Sequence, residues 1–67
     1  VSDIASLNQI VEKVLAQNPN QVEQFLSGKD KLIGYFVGQA MKMTEGKANP
    51  QQLQTLMQSK LEELKKG

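Results

Sequence analysis

Between Lys31 and Met43 the apolar residues stand at Leu32, Ile33, Phe36, Val37, Ala40 and Met43. Steps of three and four residues place such a set on one broad face of an α-helix. The same spacing runs through Ile4, Leu7, Val11 and Val14, with Ile10 and Leu15 beside them, and through Leu53, Leu56, Met57, Leu61 and Leu64. A shorter set, Val22, Phe25 and Leu26, lies between. No stretch alternates with a period of two, so no strand is expected. The pattern predicts an all-α chain: one small, compact domain of four short helices in an orthogonal or bundle-like arrangement.

Punctuation in the sequence supplies the boundaries. Ser2 or Asp3 caps the first helix, which keeps its period to about Gln17. Asn18-Pro19 and Asn49-Pro50 each pair a favoured N-cap residue with a proline at the first helical position, where its missing N–H costs nothing. Gly28 is expected to end the second helix with a positive φ, and Gly46 to follow the third as its C′ residue after an end near Thr44. Lys65 and Lys66 fall in the last turn of the fourth helix, where positive charge complements the dipole. The four helices then run to roughly 15, 8, 14 and 16 residues.

The third helix has a second side. Lys31, Tyr35, Gly38 and Lys42 follow an i, i+4, i+7, i+11 spacing, a single stripe opposite the apolar face. Glycine inside a helix costs about 1 kcal/mol relative to alanine, so Gly34 and Gly38 together ask for a reason. Two readings compete. Either the glycines let another helix approach closely, a role that suits Gly34 near the edge of the apolar face, or Gly38 leaves bare backbone between the lysines for a bulky anion. The helix is too short and too charged to span a bilayer, and the basic stripe has too little apolar flank to insert as a surface helix.

Composition narrows the chemistry. In 67 residues there is room for one small core and none for a catalytic cleft of ordinary size. The absence of cysteine and histidine excludes disulfides and thiolate or imidazole metal sites. Glu62 and Glu63 are adjacent and diverge on a helix, Ser27 and Ser59 have no histidine to activate them, and no phosphate-cradling loop surrounds Lys42, Glu45 and Lys47. No catalytic residue and no metal ligand is therefore assigned. The net charge of +1 hides an uneven distribution. Residues 1–28 carry one lysine against three acids, residues 29–47 four against two, and residues 48–67 three against two. Positive charge thus gathers on the third helix and its flanks. The chain opens on valine and shows no signal, transit or lipidation motif, so it is expected to be a single tail domain, residues 1–67, cut from a longer cytoplasmic protein.

Asn18-Pro19, Gly28-Lys29, Gly34, Val37-Gly38-Gln39 with Met41-Lys42, and Gly46-Lys47-Ala48-Asn49-Pro50 together carry a resemblance. The chain resembles the GatB/YqeY domain family, the C-terminal tail of the GatB subunit of the tRNA-dependent aspartyl/glutamyl-tRNA amidotransferase. The likeness covers almost the whole chain and departs at Leu26-Ser27, where such tails often carry an aromatic or basic residue. It implies a parent ligase of protein biosynthesis that amidates misacylated Glu-tRNA(Gln) or Asp-tRNA(Asn) with ATP, Mg and ammonia from glutamine. The chemistry then lies in the larger N-terminal part of the GatB subunit, ammonia is released by a different subunit of the complex, and this domain, without cofactor of its own, reaches the elbow of the tRNA.

Joined to the stripe, the resemblance implies an RNA-binding set of Lys29, Lys31, Tyr35, Gly38, Lys42 and Lys47. The lysines would contact phosphates, Tyr35 would stack on a base or pack on a ribose, and Gly38 would let the backbone come near. The expected partners are tRNA, the rest of the GatB subunit and the other amidotransferase subunits, with no membrane and a monomer in isolation. The competing class is a protein-docking module, in which the stripe or the Gly34 edge receives a helix from elsewhere in the complex.

Overall fold

The computed structural model describes residues 3–66 and contains four helices: α1 (Ile4–Gln17), α2 (Pro19–Leu26), α3 (Leu32–Met43) and α4 (Pro50–Lys66). There is no strand among the described residues. Each helix packs against the other three, most extensively α3 against α4. α1 and α4 run side by side in the same direction: Ile4 shares a surface hollow with Gln52 and Leu56, and further along Lys60 Nζ lies 3.1 Å from Glu12 Oε1. The radius of gyration, 10.9 Å, is that of a fully collapsed chain of this length. No helix of the described residues is long and apolar enough to cross a membrane.

The core takes Leu7, Val11 and Val14 from α1, Phe25 from α2, Phe36 and Ala40 from α3, and Leu53, Met57 and Leu61 from α4, with Ala48 closing it from the α3–α4 turn. Three positions of the apolar pattern lie outside. Ile4, Met43 and Leu64 are 52%, 38% and 46% exposed. Each stands in the terminal turn of its helix, beyond the last residue that has a neighbour to cover it, so the period is right and the partner is missing.

The caps divide the two Asn-Pro pairs. Asp3 caps α1, its Oδ1 accepting from the Ala5 N–H at 3.3 Å, whereas Ser2 lies outside the described residues. Asn49 is a full side-chain cap, accepting from the N–H groups of Gln51 at 2.9 Å and Gln52 at 3.3 Å. Asn18 holds the N-cap position of α2 but makes no side-chain cap. Its Nδ2 turns back to donate to the Val14 carbonyl at 2.8 Å, closing the end of α1 instead.

Both α2 and α3 end in the paired 6→1 and 5→2 bonds of a Schellman turn. At α2 the left-handed residue is Gly28, φ +123°, with its N–H on Phe25 O and that of Lys29 on Gln24 O. At α3 the expected assignment shifts by one residue. Glu45, φ +56°, takes the C′ position and donates to Lys42 O, while Gly46, φ +76°, follows it and donates to Met41 O at 2.9 Å. The register is set by Thr44, which is buried and spans the turn, its Oγ1 donating to Met41 O and accepting from the Ala48 N–H. A non-glycine residue in the left-handed region carries about 1 kcal/mol of strain. Glu45→Gly is therefore expected to raise the melting temperature by about 4–8 °C. An unchanged melt would mean that the glutamate's own contacts offset the strain.

Candidate nucleic-acid interface

Phe36 and Ala40, both fully buried, fix the inward direction of α3. At about 100° per residue the opposite direction falls on Gly38, with Lys31, Lys42 and Tyr35 to one side and Gly34 to the other. All five are exposed. From Lys31 to Lys42 the stripe climbs about 16 Å at 1.5 Å per residue. The structure thus brings Lys31, Tyr35, Gly38 and Lys42 onto one surface.

The close-packing role expected of Gly34 is not what the domain uses it for. A Cβ built at Gly34 or at Gly38 meets nothing within 4 Å, so no helix of this domain needs either glycine. Both leave open backbone facing outward.

Tyr35 is less free than the spacing suggests for a stacking residue. Its hydroxyl donates to Asn18 Oδ1 at 2.9 Å, and its ring meets Phe36 edge to face, centroids 5.7 Å apart at 69°. Asn18 therefore joins the end of α1, through Val14 O, to the stripe on α3. Tyr35 is 38% exposed, and its ring is held as a wall on the stripe. Spacing gives no sign of this contact, because seventeen residues separate the partners and Asn18 has a local role that explains it.

The two lysines on α3 differ in how they suit the helix. Lys31 is the N-cap residue of α3, gives no side-chain cap, and no acid follows in the first turn. Cations near the positive end of a helix dipole are disfavoured by about 0.3–1 kcal/mol each. Lys42, in the last turn, is favourably placed. Lys29, in the α2–α3 turn, and Lys31 line one hollow of about 560 Å³ with Gln24, Gly28, Asp30 and Leu32. Lys47 lies past the Schellman turn, off the stripe, and has an interaction of its own within the chain. Among the described residues Lys29, Lys31 and Lys42 form no ion pair, in contrast to Lys60 with Glu12. An exposed track of unpaired ammonium groups, one rigid ring edge and bare backbone can hold a phosphate-rich surface at short range.

The GatB domain family model matches residues 1–61. The chain is 57% identical over 61 residues to the GatB subunit of the aspartyl/glutamyl-tRNA(Asn/Gln) amidotransferase of Nitrosococcus oceani, covering 91% of this chain and 13% of that protein. It is 56% identical over 61 residues to the corresponding protein of Coxiella burnetii strain Dugway 5J108-111, with the same coverage of 91% and 13%. To that of Thioalkalivibrio sulfidiphilus it is 53% identical over 62 residues, 92% of this chain and 13% of the relative. The chain thus spans about one eighth of the length of these relatives. No solved structure matches it.

Proposed function

The chain belongs to the GatB domain family, and we propose that it is the tRNA-contacting tail of the GatB subunit of an aspartyl/glutamyl-tRNA(Asn/Gln) amidotransferase. One observation carries the proposal: Gly38, flanked by Lys31, Tyr35 and Lys42, faces outward with nothing over it. A helix keeps such a position at a loss of about 1 kcal/mol, and the domain's own packing gives no return for it. Lys31, at the N-cap of α3 with no side-chain cap, is a second local loss. Both become favourable when a polyanion lies along the stripe. Its phosphates then meet ammonium groups, and its ribose edge reaches the backbone at Gly38 and the fixed ring of Tyr35.

In this proposal the domain binds and does not catalyse. Phosphorylation and amidation, with their ATP and Mg, fall to parts of a cytoplasmic enzyme outside this chain. Three or four phosphate contacts give weak binding on their own, with log affinity falling against log salt at a slope of about −2 to −4. Tethering to the rest of the enzyme raises the effective concentration enough to make such a contact useful.

The test is an amide-shift titration of the domain with folded tRNA at two salt concentrations. Perturbations are expected along residues 31–42, with that salt slope, and Lys42→Glu is expected to weaken binding about tenfold while the melting temperature stays nearly constant. Shifts confined to residues far from Lys31 and Lys42, or none at millimolar RNA, would remove the proposal. Binding of another member of the amidotransferase complex that is indifferent to salt and lost on Gly34→Leu would make the same face a protein-docking surface.

A further inference from the structure

The hollow at the α2–α3 turn is not a continuation of the helix stripe but a separate depression at its lower end. Its volume of about 560 Å³ is in the range of small-ligand sites. The walls are largely apolar, with Leu32 at the base of α3 and the left-handed Gly28 on the turn. Lys29 and Lys31 also line it, and the Gln24 side chain carries both a donor and an acceptor. Asp30 also lines a second hollow, with Phe25, Ile33 and Lys65, so it stands on the ridge between the two.

We infer that this hollow holds one unpaired nucleotide of an RNA loop, the base against Leu32 and Gly28, its edge on Gln24, and its flanking phosphates on Lys29 and Lys31. The inference rests on the tRNA reading and adds a subsite to it. A flat apolar body with an anion at its margin matches a largely apolar lining whose charged groups are two lysines against one acid, Asp30. Neither bare phosphate nor an apolar side chain would use both. Looped-out bases are the parts of a folded RNA that a protein can enclose and read at their edges. Lys31 belongs both to this hollow and to the stripe proposed to carry the RNA backbone, so a loop nucleotide could be held beside it.

The experiment titrates the domain with adenosine 5′-monophosphate, adenosine and inorganic phosphate separately, and then with folded tRNA, following backbone amides. The mononucleotide is expected to move amides of residues 24–32 with a Kd on the order of 1 mM, adenosine about tenfold more weakly, and phosphate only those of Lys29 and Lys31. Gln24→Glu, at an exposed position in the last turn of α2, is expected to weaken the mononucleotide about tenfold and to lower the melting temperature by no more than a few degrees. Phosphate moving the same amides as far as the mononucleotide would reduce the site to an anion contact and overturn the inference. So would a mononucleotide Kd below about 10 μM, which would mark a site for free nucleotides. Shifts from tRNA along residues 31–42 with none at 24–32 would remove the subsite and leave the tRNA reading standing. Absence of any shift with tRNA, beside a normal mononucleotide titration, would instead remove the RNA reading and the loop origin together.

Discussion

Phe36→Ala is expected to cost about 3–5 kcal/mol and to leave the isolated domain largely unfolded at 37 °C. Phe36 is fully buried at the centre of the core and meets two other rings, Phe25 at 6.4 Å and 67° and Tyr35 at 5.7 Å and 69°. Truncation removes the largest fully buried side chain, both edge-to-face contacts, and the ring that Tyr35 packs against. A chain of 67 residues has a total stability of only about 3–10 kcal/mol at the usual 0.05–0.15 kcal/mol per residue. Its helices cannot repack around the void without losing one another, because each touches all three others. The measurement is a thermal and urea melt followed by circular dichroism, with Leu64→Ala as control. Leu64 has the same place in the hydrophobic pattern but is 46% exposed, so its truncation should shift the melt by no more than a few degrees. A Phe36→Ala melt matching the parent would show that the core is centred elsewhere.

That pair of variants also shows how far the pattern alone can reach. Periodicity, two Asn-Pro pairs and two glycines suffice for four helices and their ends, because each of those signals acts within a few residues of its cause. The stripe is legible for the same reason, since Lys31, Tyr35, Gly38 and Lys42 share one helix. What escapes depends on contacts between elements. Leu61 and Leu64 read alike until the shape of the bundle decides which has a neighbour. Asn18 and Asn49 precede identical prolines, yet only Asn49 caps, because Tyr35 and Val14 O compete for the other side chain. Gly46 reads as the C′ residue, and Thr44, held by its buried hydroxyl, moves that position to Glu45. The pairing of Glu12 with Lys60, forty-eight residues apart, has no local trace at all.

The glycines give the second large effect, and it runs opposite to the first. The double variant Gly34→Ala/Gly38→Ala is expected to stabilise the domain by about 2 kcal/mol, one for each helix-interior glycine replaced, and to raise the melting temperature by about 8–16 °C. No clash opposes this, since a Cβ at either position meets nothing within 4 Å. Gly38→Leu should likewise melt no lower than the parent, because leucine is nearly as good a helix former as alanine. On the proposed tRNA reading the order reverses. A leucine at the centre of the stripe stands between Lys31 and Lys42 and holds a polyanion away from the backbone, so affinity is expected to fall at least tenfold, about 1.4 kcal/mol. A variant that gains stability and loses its ligand separates the two reasons a glycine can sit in a helix, because loss of fold cannot account for loss of binding. Were Gly34→Ala/Gly38→Ala to melt lower than the parent, something in the fold would occupy the space above α3. Were Gly38→Leu to bind tRNA unchanged, the open backbone would have no part in recognition, and the lysines would have to hold the RNA at the full length of their side chains.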